Sequence, residues 1–347
     1  MAEERRGRRY PQNLQGVLQL AVEAGSTSEE QEPTSVEPTS VEPTSVEPTS
    51  VEPMSEERKV WLGEALADIC KGQMDEVEHM KRCLEVLRGE EPSGQEREDE
   101  DEEDVRETAF ETLTELCDNL DNARDLMTLG GLQLCVSRYL CHEQGALRWR
   151  AAELIASCAQ NMPQVQIHLL DIGTLPKLLE MVDCDPHPTA RVKALYAVSC
   201  LVREQDAGLE EFLSRDGFSV LMRGMQSGNE KLCIKSAFLL LNLLTSHPEQ
   251  RASVVSMGMV QQLVSVLRTP HSTFHEHVVG ALCCLIDNCP LGLKDCRDPA
   301  LGLKELLKQR STELQGKEES QEELEFCERL RRLCFSGHQS EDSGMDR

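Results

Sequence analysis

No stretch of this chain approaches the run of about 18 consecutive apolar residues that a membrane-spanning helix requires, so a transmembrane reading is excluded. Positive charge is scarce: 36 Lys and Arg stand against 62 Asp and Glu, a net charge of −26 over 347 residues. That balance argues against nucleic acid and anionic membrane surfaces as partners, because like charges would have to be brought together. The first residues, MAEERRGRRYPQ, are basic but lack the apolar core and cleavage site of a secretory signal. Cysteine is plentiful at 15 residues, yet the count is odd and no C-x-x-C pair occurs. Cys117, Cys158, Cys200 and Cys283 fall within helical apolar patterns, where a free thiol serves as a small hydrophobe. A reducing compartment, cytosol or nucleus, fits that usage, and a disulfide scaffold does not.

Catalytic signatures are missing as well. There is no phosphate-binding G-x-x-x-x-G-K, no G-x-G-x-x-G, no H-E-x-x-H and no G-x-S-x-G. His271, His275 and His277 around Glu276 come nearest to a metal site, but their spacing matches no standard ligand pattern. No metal, no cofactor and no enzymatic activity are expected.

What the chain does have is a repeat. The small residues Ala109, Ala151, Ala194, Ser236 and Gly280 recur about every 42 residues, and so do Gly130, Gly173, Gly217, Gly258 and Gly302. A helical period in that range marks an armadillo/HEAT array, whose neighbouring units share a continuous core and present an extended concave surface. The expected fold is an all-α, right-handed superhelical solenoid with helical N- and C-terminal caps and a disordered N-terminal tail. Residues 1–54 form that tail, with EPTSV repeats from Glu32 to Pro53 and a short apolar motif at 13–22. A helical hairpin over 55–88 caps the array, an acidic linker spans 89–104, and the repeats occupy 105–314. A capping helix lies within 315–335, with Leu324, Cys327, Leu330 and Cys334 inside and Glu322, Glu323 and Glu325 outside. The tail 336–347 is expected to be disordered.

Helical phase divides the groove-lining helices into faces. The groove side carries Thr108, Glu111, Glu115 and Asp118 in the first unit, then Arg150, Glu153, Ser157 and Gln160 in the second. Lys193, Tyr196, Cys200 and Arg203 follow in the third, and Lys235, Phe238, Asn242 and Thr245 in the fourth. Leu282 and Ile286 continue the row in the fifth. Arg150, Lys193 and Lys235 thus make a basic, partly aromatic stripe suited to an acidic partner surface. The plainer reading is that these cations flank helix starts and snorkel.

Particular segments carry a resemblance. RWRAAELIASCAQN (148–161), ARVKALYAVSCLVREQDAGL (190–209), DGFSVLMRGMQ (216–226) and KSAFLLLNLL (235–244) resemble the heat-shock 70 kDa protein-binding protein family, as do NLQGVLQLA near the N-terminus and EELEFCERL at 322–330. The resemblance implies a monomeric, cytoplasmic co-chaperone that acts as a nucleotide exchange factor for a 70-kDa heat-shock chaperone. It implies that the concave face grips the partner's ATPase domain, and helical phase puts Arg150, Glu153, Lys193, Tyr196, Arg203, Lys235, Phe238 and Asn242 on that face. It also implies that Leu14, Val17, Leu18 and Leu20 engage the chaperone's peptide-binding domain to assist client release. Two other readings stay open: a scaffold that binds without driving exchange, and an importin-like peptide receptor. The tryptophan–asparagine ladder of the latter is not present, since only Asn242 occupies an asparagine position.

Overall fold

The computed structural model describes residues 75–90 and 99–336. The chain divides into two compact units, Met1–His79 and Met80–Arg347. The first is described only from residue 75, so the architecture here is that of the second. The 13–22 motif, the EPTSV repeats and the first arm of the 55–88 hairpin lie outside the described residues.

Every regular element described is a helix. Helix α1 (75–88) and α2 (Asp99–Leu116) precede five units of three helices each. The first unit is α3 (Leu120–Thr128), α4 (Gly131–Leu134, extended by a π-turn Cys135–Tyr139) and α5 (Gly145–Ala159). The second is α6 (Pro163–Asp171), α7 (Thr174–Cys184) and α8 (Pro188–Val202). The third is α9 (Asp206–Ser214), α10 (Gly217–Met225) and α11 (Glu230–Ser246). The fourth is α12 (Arg251–Ser256), α13 (Met259–Leu267) and α14 (His275–Ile286). The fifth is α15 (Pro290–Cys296), α16 (Leu303–Leu314) and α17 (Gln321–Phe335).

Each unit is punctuated by its own chemistry. Proline opens α6, α8 and α15, where its missing N–H is no loss. Asn119 and Asn229 cap α3 and α11 by accepting from the backbone N–H groups of Asp121 and Leu232. A left-handed residue turns the chain into each second helix: Gly130, Gly173, Gly258 and Gly302 have φ of 78°, 71°, 80° and 54°. In the third unit the left-handed residue is Asp216 (φ 55°) and not Gly217, as the glycine column suggested. Gly217 is small for another reason: a Cβ there would sit 2.3 Å from the Phe212 ring.

The third helices stack side by side in the order α2, α5, α8, α11, α14, α17. Ala109, Ala151, Ala194, Ser236 and Gly280 are all buried at those crossings, beside a core that includes Leu154, Ile155, Ala197, Val198, Leu239 and Leu240. A second column seals the C-termini of the third helices. Gln166 donates from Nε2 to Ala159 O seven residues back (3.0 Å), and Arg251 donates from Nε to Leu244 O across the same interval (3.0 Å). At the matching places in the third and fifth units stand Gly208 and Gly292. An added Cβ would fall 1.9 Å from Leu201 O and 2.1 Å from Leu285 O.

Neighbouring units are tied through their second helices too. Lys177 donates to Val136 O (2.8 Å), Arg223 grips Asp183 bidentately (2.7 and 2.8 Å), and Arg310 donates to Leu267 O (2.8 Å). At the N-terminal end the π-turn presents Tyr139 and Arg138 to α1. Tyr139 donates from its hydroxyl to Leu87 O at 2.6 Å, and Arg138 from Nη1 to Arg88 O at 3.1 Å.

The structure departs from the sequence-based boundaries in two places. Part of the acidic 89–104 linker is helical, because α2 begins at Asp99 and acidic side chains are favourable at a helix N-terminus. The capping helix is the third helix of a full fifth unit, packed on both α14 and α16. Burial on two sides also reverses one face assignment: Glu323 is 2% exposed, with His271 Nε2 at 2.8 Å and Arg310 Nε at 3.9 Å.

Candidate partner-binding surface

The faces of the third helices left free by packing form one row across the units. Glu111 and Glu115 on α2, Arg150, Glu153, Ser157 and Gln160 on α5, and Lys193, Tyr196 and Cys200 on α8 reach solvent at least partly. Arg203 follows at the end of α8, then Lys235, Phe238, Asn242 and Thr245 on α11. These residues thus lie on faces that reach solvent, outside the core set that helical phase assigned to the same helices. Helical phase slipped on α14, where Leu282 and Ile286 are buried and Glu276, His277 and Cys284 face outward. Gly280 and Ala281 are both small and both buried, so the small-residue column could not set the register there.

Pairing changes the electrostatics of the row. Arg150 Nη2 lies 2.7 Å from Glu107 and 2.8 Å from Glu111, and Lys193 Nζ bonds Glu153. Each cation is neutralised by a carboxylate of the preceding third helix, so these two are not the free basic ladder expected from the sequence. Tyr196 repeats the pattern without charge by donating from its hydroxyl to Gln160 Oε1 at 3.0 Å. Asn242 turns back on its own helix, donating from Nδ2 to Phe238 O at 2.8 Å.

What remains free is the middle of the row. Among the described residues neither Arg203 nor Lys235 has a carboxylate partner. Lys235 Nζ is 5.4 Å from the Tyr196 ring centre, and the Arg203 guanidinium is 6.0 Å from that of Phe238. Phe238 is 43% exposed, and its ring meets His277 edge-on at 5.4 Å. A cavity of about 370 Å3 opens between α8 and α11, lined in part by Lys193, Tyr196, Lys231 and Lys235. Burial pushes the Cys200 thiol up to about 11, with Arg203 opposing, so it is a neutral group near pH 7. Burial also lowers the pKa of His277 and raises those of Tyr196 and Glu276. Two groups escaped the sequence reading. Trp149 supports Arg150 at 4.2 Å and Lys193 at 5.8 Å, and its position directly before Arg150 was the available signal. His277 was noticed only as one of a histidine trio.

That trio disperses. His271 pairs with Glu323, the fully buried His275 sits 3.3 Å from Thr269 Oγ1, and His277 lies 3.6 Å from Glu276. Among the described residues no group of three His, Cys, Asp or Glu could hold a metal ion. Leu14, Val17, Leu18 and Leu20 lie outside the described residues.

Two family models match the chain: "SIL1/FES1/HPBP1 C-terminal domain" over residues 122–245, and "Nucleotide exchange factor Fes1" over 14–126. Hsp70-binding protein 1 of Rattus norvegicus is 52% identical over 340 residues, covering 98% of this chain and 90% of the relative. Hsp70-binding protein 1 of Homo sapiens is 52% identical over 98% of this chain and 89% of its own length. Among solved structures, the designed armadillo repeat protein YIII(Dq)4CqI superposes with a TM-score of 0.56 at 15% identity. That superposition spans 72% of this chain and 98% of the design, a likeness of fold.

Proposed function

Since this chain belongs to the Hsp70-binding protein 1 family, we infer that it is a co-chaperone of Hsp70 that promotes nucleotide exchange. It works in the cytosol or nucleus, a reading supported by the free thiols of every described cysteine. The third-helix row receives the ATPase domain of the chaperone, and the observation that carries this is the unneutralised centre of the row. Arg203 and Lys235 stand there beside the aromatic faces of Phe238 and Tyr196, while the rungs before them are charge-paired. Solvent-facing cations beside aromatic rings, poised to lose water when a partner covers them, are the composition of an interface hot spot.

The mechanism needs no bond chemistry. A stiff surface that fits only one arrangement of the ATPase domain shifts the population toward it by differential affinity. If that arrangement holds ADP weakly, linkage requires that this protein loosen ADP by the factor with which ADP loosens this protein. ATP then enters and the client departs. Residues 13–22, with Leu14, Val17, Leu18 and Leu20, supply an apolar segment to the substrate groove of the chaperone and assist client release by acting like a substrate.

The test is release of a fluorescent ADP analogue from a cytosolic Hsp70, with and without this protein. Wild type accelerates release, and Lys235→Glu raises the concentration needed for half-maximal acceleration about 5- to 30-fold. Acceleration undiminished in Lys235→Glu and Phe238→Ala would move the contact elsewhere. Binding without acceleration would leave a scaffold. Deleting 10–22 is expected to leave ADP release unchanged and to slow client release, and equal client release would remove the role given to that segment.

A further inference from the structure

The fifth unit holds a pair of cysteines that the exchange reading does not use. Cys296 ends α15 and Cys334 lies in the last turn of α17; they are 1% and 3% exposed, and their side chains are neighbours. Their backbones are pinned together as well. Arg297, the residue after Cys296, donates from Nε to Cys334 O at 2.7 Å and from Nη2 to Leu333 O at 3.4 Å. The nearby Cys283 is engaged elsewhere, its thiol directed at Phe326 O at 3.5 Å. Two buried cysteines from segments far apart in sequence are thus held side by side.

We propose that Cys296 and Cys334 form a reversible disulfide when the protein meets a hydroperoxide, cross-linking α15 to α17. Closing the bond brings the two neighbouring sulfurs to about 2.05 Å, within reach of side-chain rotation when the backbones are already adjacent. Cys334 is the attacking sulfur. The hydrogen bond from Cys296 and the nearby Arg297 guanidinium lower its pKa despite burial, whereas that of Cys296 is raised. The Cys334 thiolate takes one peroxide oxygen as the O–O bond breaks, giving a sulfenic acid and a hydroxide that is protonated to water. The Cys296 sulfur then displaces the sulfenic oxygen as a second water, losing its proton in the step. Two thiols are oxidised to one disulfide, and one hydroperoxide supplies both oxidising equivalents. Access to the buried pair comes through local opening of the last turn of α17.

The experiment is peptide mapping of the full chain after titration with hydrogen peroxide, blocked with an alkylating agent and digested without reductant. The expected product is a Cys296–Cys334 linked peptide that dithiothreitol abolishes. Its formation should accompany a rise in Tm of about 4 °C or more, absent from Cys334→Ser. Alkylation of both residues after the exposed Cys141 and Cys184 have oxidised would overturn the proposal. So would linkage of either cysteine to another partner, or over-oxidation of Cys334 to the sulfinic acid without a cross-link. Cys296→Ala offers a second test should Cys334→Ser fold poorly: it removes the linked peptide and leaves Cys334 oxidised only to acids.

Discussion

At the scale of single residues, position on a face and freedom on that face are different things. Lys193 and Lys235 occupy equivalent turns of successive helices, but Lys193 bonds Glu153 while Lys235 rests on the Tyr196 ring. Reversing Lys193 to Glu should therefore set it against Glu153 and lower stability by about 0.5–1 kcal/mol. Reversing Lys235 should leave urea denaturation nearly unchanged while weakening Hsp70 binding, and the two measurements on both variants separate the roles. Helical phase showed that each lysine reaches solvent. It could not show which carboxylate lies one helix back, because that depends on how neighbouring units are staggered. His275 gives the residue scale a pH signature. Burial, helped by the positive charges of Arg310 and His271, lowers its pKa from 6.5 to about 4. Between those values the unfolded chain binds the proton and the folded one does not, so stability falls as pH drops from 6.5 toward 4. The loss should be about 3 kcal/mol at the acid end. Denaturation midpoints should show a shallower pH slope in His275→Gln.

Helices and turns were legible where a signal repeated. The long third helices carry enough apolar positions to declare their faces, and their small residues lie buried at the crossings. The short first helices were not anticipated, since six to nine residues give too few turns for a period to emerge. The column of glycines was read as one feature, but its member Gly217 is a close-approach glycine, like Gly208 and Gly292 outside the column, and not a left-handed one. Gly173 occupies a left-handed turn with nothing within 4 Å of an added Cβ, so Gly173→Ala should cost only the conformational penalty, about 1 kcal/mol. Gly208 has an ordinary backbone but would drive a Cβ into the Leu201 carbonyl, so Gly208→Ala should cost about 2 kcal/mol or more. Chemical denaturation of the two alanine variants checks the order. Glu323 was misplaced for a related reason. Its helix looked like an end cap with one wet side, but α16 covers that side and supplies Arg310 as an ion partner.

For the whole molecule, a −26 chain leaves Arg203 and Lys235 of the row without a carboxylate partner among the described residues and pairs Arg150 and Lys193 with acids. Because each unit leans on the next, stability should behave as a sum of units and their interfaces. A chain ending before Pro290 would bare the face of α14 that α17 covers, including Cys283 and Gly280. Its thermal transition should move down by several degrees and broaden, which calorimetry of the truncated and full chains would register.

The ties between units also have a mechanical meaning. Arg150, Lys193 and Tyr196 join successive third helices, while Lys177, Arg223 and Arg310 join successive second helices. The two sets lie in different layers, like the flanges of a beam. Any change of curvature must stretch one set while compressing the other. In the exchange reading proposed above, a protein braced in this way works as a mould: it resists bending, and the partner pressed against it is the one that deforms.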